Sequence, residues 1–474
     1  MLEVLLFSVS LALVTQDQTQ LRAAPKASAQ THALLLQGEA LEVRGERLDF
    51  LQVYDYRRER GGFVRASLVK RLSLTPERAP ELLAVVRFLR DTPGQESLGI
   101  AYGAAYIQAA TAEMLKGPEG VEVLDALGTM GDRLAQRAST SQGKAGQTAA
   151  GHLEVAARNG LKFESNEHDG RVYVCYDGDA FRRVLAMSTE AGQRARAVLG
   201  LTRRECMPGA LKPGERRRMD EWRAQALDQV DADTLPAYLR NRIVIRRATV
   251  WSSLAYQRAR AGDAPGAAAA RALVELGRVD KTNLAEEDSA AYSDAAMRVN
   301  ASRWALAAKP APAQERPGIT TVPGAPGETC VLLVDGKNGP KQPLAKRCTY
   351  GIVWAGSATL NRESNALALA VQPADAWLEM WLFRKSASGW SVRVLPPAAI
   401  HPEVGYAEFA GWVPGGTQML VAREAQGEGR YRHNFEIVRL DTLATVRQAA
   451  DPSMLGAFQR WQDPNWKRNT VSVR

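Results

Sequence analysis

Between about residues 34 and 72, apolar and polar side chains alternate with a period of two, the spacing at which successive residues of an extended chain point to opposite faces of a sheet. ALLLQGEALEVRG reads as a short strand, a Gln37–Gly38 turn and an alternating strand. Leu41 and Val43, and later Leu51 and Val53, take one face; Glu42, Arg44 and Gln52 take the other. GERLDFLQVYDY continues as a hairpin. In GGFVRASLV, residues 61–69, the paired glycines are expected to turn the chain with positive φ before Phe63 and Val64 re-enter the sheet, and Ala66–Leu68 adds the one-turn helix that closes it.

From about 73 to 309 the period changes to 3.6. Leu98, Ala101, Tyr102, Ala105, Tyr106 and Ala109 share one helical face, as do Ile243, Val250, Trp251, Leu254 and Ala255, and again Tyr292, Ala295, Ala296 and Val299. Loops such as NGLKF and AGDAPG separate the helices, so antiparallel pairs are expected. GDAPGAAAARALVELGRVD resembles half of a tetratricopeptide-type unit, but no strict repeat period runs through the region, and an irregular bundle serves equally well. One strand-like stretch, RVYVCYDGDAF at 171–181, interrupts the series, with Asp177 or Asp179 as cap of the next helix.

Residues 310–328 read as a linker, because Pro310, Pro312, Pro317, Pro323 and Pro326 interleave with alanine and glycine. The remainder, 329–474, is β-rich and holds seven of the ten tryptophans: Trp354, Trp377, Trp381, Trp390, Trp412, Trp461 and Trp466. NALALAV, WLEMWLF, WSVRVL, QMLVAR and NFEIVRL are its clearest strands. FAGWVPGGTQMLVAREA followed by NFEIVRLDTLATVRQA resembles one blade of the propeller domains of Tol-type periplasmic proteins. Fewer than four blades fit the length, so a sandwich or an open pair of sheets is expected.

In the N-terminal region LRAAPKASA, LLLQGEALEV, DFLQVYDY and GGFVRASLV follow in an order and spacing that resemble the bacterial-type Src-homology-3 domain, with Phe63 where tryptophan is more usual. The resemblance covers residues 14–72 and implies a small β-barrel. The expected fold is therefore multidomain α+β: this SH3-like barrel, an α-helical repeat or bundle over 73–309, and an antiparallel β domain, sandwich or partial propeller, over 329–474.

Composition is that of a globular chain, with 45% hydrophobic and 24% charged residues. The net charge of +9 could attract an anionic partner, but Arg216, Arg217 and Arg218 are flanked by Glu215, Asp220 and Glu221, as on a solvated helix face, and no nucleic-acid partner is expected. No apolar run approaches the length of about 18 residues that a spanning helix needs, so any membrane association is expected to be peripheral. Val4–Val14 has the length of a signal-peptide apolar region and lacks the basic segment in front of it. A truncated export signal over residues 1–13 is the reading adopted here, and a buried first strand is the alternative. Four cysteines are either buried thiols or two bridges; the linker between the pairs favours Cys175–Cys206 and Cys330–Cys348, each then contributing about 3 to 4 kcal/mol. Export to the periplasm or cell envelope follows from the bridged reading.

Chemistry is sparse. Cys175 sits inside a valine–tyrosine strand rather than at a helix N-terminus, which argues against a nucleophile. The five histidines, His32, His152, His168, His401 and His433, show no zinc-ligand spacing, and no phosphate-loop, dinucleotide or serine-hydrolase motif occurs. Glu286, Glu287 and Asp288 fit a helix start. No cofactor or metal is expected. Tyr54, Tyr56, Arg57, Arg58 and Phe63 instead place aromatic and cationic groups together beside a barrel loop, a surface suited to a peptide or an anionic wall polymer. The expected function is a non-catalytic envelope binding or scaffold protein, with the barrel contacting peptide or peptidoglycan and the helices holding a protein partner. The alternative is a wall hydrolase whose site lies between the helical and β regions.

Overall fold

Alternation in the N-terminal region yields strands β1 (Ser10–Val14), β2 (Thr19–Arg22), β3 (Thr31–Leu35), β4 (Ala40–Arg47), β5 (Phe50–Asp55), β6 (Arg60–Arg65) and β7 (Val69–Leu72). The computed structural model describes residues 10–168, 170–307, 315–398, 404–427 and 430–469. The chain divides into two units, 1–210 and 211–474, so the helical span is shared between them. In the first unit the strands form one seven-stranded sheet in the order β3-β2-β6-β5-β4-β1-β7. Ala12, Val14, Leu21, Leu41, Leu51, Val53 and Val64 build its core.

Three expectations change here. The sheet is an open path, not a closed barrel: among the described residues no pairing joins β3 to β7, and β2 meets β6 through the single pair Arg22–Phe63. Residues 1–9 of the signal-like run lie outside the described residues, but Ser10–Val14 is the buried strand of the alternative reading, paired with β4 on one side and β7 on the other. Ala12 and Val14 enter the sheet core while Leu13 joins Leu72 among the helices, and burial on both faces explains why this strand lacks alternation. Finally, Gly61 and Gly62 lie within extended β6, and the positive φ belongs to Glu59 at 47°. Gly62 is needed for space: a Cβ there would stand 2.6 Å from Leu21 Cδ1 and 2.9 Å from the Arg22 carbonyl. Gly38 does take the expected turn at φ 85°, against the Ser97 carbonyl.

Helices α1 (Ala79–Arg90), α2 (Glu96–Ala109), α3 (Ala112–Lys116), α4 (Pro118–Thr140) and α5 (Gly143–Arg158) follow. The face predicted for α2 is buried from Leu98 to Ala109. The strand-like interruption is a hairpin, β8 (Phe163–His168) with β9 (Arg171–Tyr176), leading to α6 (Asp179–Ala186) and α7 (Ala191–Leu201). Asp177 accepts from the Asp179 amide at 3.0 Å just before α6. Cys175 is bonded to Cys206, tying the hairpin to the segment after α7.

The second unit begins with α8 (Pro213–Asp228), α9 (Ala237–Ala261), α10 (Gly266–Gly277) and α11 (Ser289–Ser302). Its strands are β10 (Gly318–Pro323), β11 (Thr329–Val334), β12 (Ala345–Thr349), β13 (Ile352–Leu360), β14 (Ala366–Ala374), β15 (Trp377–Ser386), β16 (Gly389–Leu395), β17 (Val404–Val413), β18 (Gln418–Gly427), β19 (Arg430–Arg439) and β20 (Thr445–Ala449), before α12 (Gly456–Trp461) and α13 (Pro464–Asn469). The linker expectation is corrected over its second half: Gly318–Pro323 pairs with β11, because Ile319 and Val322 are good strand residues and the prolines stand only at the ends of an edge strand; residues 310–314 lie outside the described set. β10-β11-β12 form a three-stranded sheet, and Cys330 is bonded to Cys348 directly across β11 and β12.

The other strands make an eight-stranded sheet in which β15 pairs antiparallel with β16 and, at Trp377 and Leu378, parallel with β17. Val331 and Leu333 pack on Leu367, Leu369, Val371, Trp381 and Phe383, so the small sheet covers part of the large one. Elsewhere Met297 and Ala301 of α11, with Leu455, Phe458 and Trp466, cover Tyr406, Ala410, Leu420 and Phe435.

Candidate functional site

The residues singled out in the first unit fall into two groups. Tyr54 and Tyr56 meet edge to face with ring centroids 5.0 Å apart, and the Arg44 guanidinium lies 4.0 Å over the Tyr54 ring. Tyr56, 66% exposed, donates to Glu42 Oε2 at 2.7 Å, and Arg44 donates to the same oxygen at 3.0 Å. These bonds, from Tyr56 first and then Arg44, hold the Glu42 carboxyl below the usual range. Phe63 is half-buried on β6 opposite Gln52, on the face that carries Tyr54 two positions away. Arg57 and Arg58 are turned to acids instead. Arg57 donates to Glu39 at 3.0 Å and Glu154 at 2.6 Å; Arg58 donates to Glu39 at 2.9 Å and Asp55 at 2.6 Å. The cation that joins the tyrosines is Arg44, which the expected set omitted. Its signal was available, because Glu42 and Arg44 occupy the outward positions of the strand whose register opposes Tyr54.

Where the sheet meets the helices, a polar chain is buried. His152 on α5, 1% exposed, bonds Asp17 Oδ1 through Nε2 at 2.8 Å and Arg137 Nη2 through Nδ1 at 2.8 Å. Arginine only donates, so Nδ1 accepts and Nε2–H is given to Asp17. Arg137 continues to Glu96 at 3.0 Å, and Arg133 reaches the same carboxylate at 2.6 Å. Both imidazole nitrogens are occupied, so this is a fastening rather than a proton relay.

Burial alone would raise the Asp17 carboxyl, but the bonds from His152 and the Gln37 amide outweigh it and hold it below the usual range. A depressed carboxyl adds stability that is present above the unfolded value near about 4 and lost as pH falls through the lower folded value. The expected result is that the melting-temperature advantage of wild type over Asp17→Asn is full at neutral pH and shrinks below about pH 4; an advantage that does not change with pH would refute it.

A second buried charge cluster, outside the expected site residues, lies in the second unit. Glu408 on β17 is 1% exposed and accepts from Arg303 Nη2 at 2.5 Å, Asn300 Nδ2 at 3.2 Å and Trp466 Nε1 at 2.8 Å. Arg303 Nε donates to Asn300 Oδ1 at 2.6 Å, and its guanidinium lies 4.3 Å over the Trp304 ring. The cue was Glu408 itself, a lone carboxylate in the apolar run YAEFAGW. Beside the cluster opens a cavity of about 370 Å³ whose walls include Leu273, Arg303, Trp304, Phe409, Asp463 and Trp466. Asp463 reaches the lining because its segment packs closely on Gly411: a Cβ there would stand 2.2 Å from the Trp461 carbonyl, and Asp463 donates its amide to the Ala410 carbonyl at 2.7 Å.

No protein-family model, curated protein or solved structure matches this chain. The geometry stands by itself. Among the described residues one group has metal-ligand proximity, Glu328 with Cys330 and Cys348, and both sulfurs are engaged in their disulfide. No helix of the described residues is long and apolar enough to cross a membrane.

Proposed function

We propose that this chain is an exported, non-catalytic binding or scaffold protein of the cell envelope. Its N-terminal region, which resembles the bacterial Src-homology-3 domain, contacts peptide or peptidoglycan through the Tyr54–Tyr56–Arg44 surface, and its helices hold a protein partner. The observation that carries this reading is the pairing of all four cysteines in two disulfides. Such bonds form and persist in an oxidising compartment and are uncommon in the cytosol. An exposed Tyr56 packed on a half-buried Tyr54 that carries a stacked arginine is the type of surface that binding proteins use, being low in ordering cost.

A wall hydrolase has one observation in its favour. Glu408 and Glu424 are buried on the same face of adjacent strands, with Tyr406 between them. Burial, with Glu424 and Glu408 nearby, pushes the Tyr406 hydroxyl well above its ordinary range, and it donates to Glu424 at 3.3 Å. Both carboxylates are closed off from solvent, and Glu408 is already spent on three donors, so the binding reading is preferred. Incubation of the full chain with purified peptidoglycan sacculi separates the two. Sedimentation with intact wall, lost in Tyr56→Ala, is the expected result; release of soluble fragments, or no sedimentation at all, refutes it. Four reactive thiols in protein taken directly from cells would remove the export argument.

A further inference from the structure

We propose that one end of the β region in the second unit is a docking surface for an anionic phospholipid bilayer. Five hairpin turns and the start of β10 meet there. The Lys385 amide donates to the Asn365 carbonyl at 2.8 Å, which brings the end of β15 to the β13–β14 turn. The Gly415 amide donates to Glu363 Oε1 at 3.1 Å and the Leu440 amide to the Thr417 carbonyl at 2.9 Å, adding the β17–β18 and β19–β20 turns. Arg316 Nη2 donates to the Arg362 carbonyl at 3.3 Å, and Gly318 pairs with Val334 at the end of β11, so the β11–β12 turn joins the same end.

The way its acids are used leaves this end positive. Arg316, Lys337, Lys341, Arg362 and Lys385 are all exposed, and none of them forms an ion pair among the described residues. Asp335 accepts the Lys337 and Asn338 amides of its own turn, Glu363 accepts the Gly415 amide, and Asp441 pairs with Arg439. Glu315 is the one acid of these segments without such a bond among the described residues. Cations carried on four separate segments match a partner that bears negative charge over an area rather than at one point. A flat bilayer can meet the turns at one end of a sheet together, whereas a chain-like polyanion is held best in a groove that follows it. No large apolar side chain is exposed in the five turns among the described residues, so the contact is with headgroups and inserts nothing into the acyl layer.

The test is co-sedimentation of the full chain with vesicles of equal parts phosphatidylglycerol and phosphatidylcholine and with vesicles of phosphatidylcholine alone, beside titration with long-chain polyphosphate. The chain is expected to sediment with the anionic vesicles and not with the neutral ones, and to be released when salt rises from about 0.1 M to about 0.5 M. Each Lys or Arg near such a surface is worth about fivefold in binding, so Lys337→Gln, Lys341→Gln and Lys385→Gln together should weaken it about a hundredfold. Removing the same charge from exposed lysines of the first unit, through Lys26→Gln, Lys144→Gln and Lys162→Gln, should change it by less than about twofold. Unchanged circular dichroism checks that each variant is folded. No sedimentation with anionic vesicles, equal sedimentation with neutral ones, binding indifferent to salt, equal loss in both triple variants, or tighter binding of polyphosphate at equal phosphate concentration would each overturn the assignment. The vesicles contain no peptidoglycan and the Tyr56 surface lies in the other unit, so the outcome is independent of the sacculus experiment.

Discussion

Glu408→Ala is expected to destabilise the second unit by about 3 to 5 kcal/mol, the usual cost of removing one partner from a buried ion pair. Glu408 joins three elements at one point, since Arg303 and Asn300 come from the end of α11, Trp466 from α13, and the carboxylate from β17. Removing it leaves the Arg303 guanidinium, 6% exposed, with Asn300 as its remaining strong acceptor. The double variant Glu408→Leu with Arg303→Met deletes both charges and should cost far less, because no uncompensated ion stays behind. Urea unfolding followed by tryptophan fluorescence reports on this unit alone, because it contains all ten tryptophans. A loss below about 1 kcal/mol in Glu408→Ala would mean the cluster is solvated in solution and that the closed geometry is wrong.

Loss of the Cys175–Cys206 bridge is expected to cost the first unit about 3 to 4 kcal/mol through the loop it closes, a separation of 31 residues. The β8–β9 hairpin is also held by Phe163 and Tyr176, which pack on the helical core, by Ser139 Oγ on α4, which meets the Val174 amide at 2.8 Å, and by Arg204, which donates to His168 at 3.2 Å. Cys175 is nevertheless its one fully buried side chain among the described residues. In Cys175→Ser with Cys206→Ser, the segment after α7 should be cut by protease at concentrations that spare the native chain. The Cys330–Cys348 bridge closes a shorter separation of 18 residues, across strands already hydrogen-bonded to each other, so its loss should be milder. Equal protease resistance of the first double variant and wild type would defeat this expectation.

Where one periodicity governed a segment, its structure was legible. The residues of α2 and α11 read from 3.6-residue spacing are buried, although both helices are buried on most other faces as well, and the Gly38 turn and the pairing of the cysteines stand as expected. Legibility failed where a strand was buried on both faces or at an edge. Ser10–Val14, SLALV, shows no apolar–polar alternation after its serine because helices cover one side and the sheet core the other. Gly318–Pro323 reads as a linker because an edge strand tolerates prolines.

The proposed sites divide in the same way. The tyrosines of β5 are visible in sequence, but Arg57 and Arg58 are drawn off by Glu39, Asp55 and Glu154, one of which lies far along the chain on α5. The chain's linear pattern alone determined the type of most elements and the α+β class, since these follow from local spacing, and it favoured the cysteine pairing without deciding between bridges and free thiols. Tertiary structure alone decided that the sheet stays open, that Arg44 rather than Arg57 or Arg58 stacks on tyrosine, and that Asn300, Arg303, Glu408 and Trp466 converge beside a cavity. Contacts between residues more than a hundred positions apart, such as Arg303 with Glu408, leave no periodic trace in a single chain.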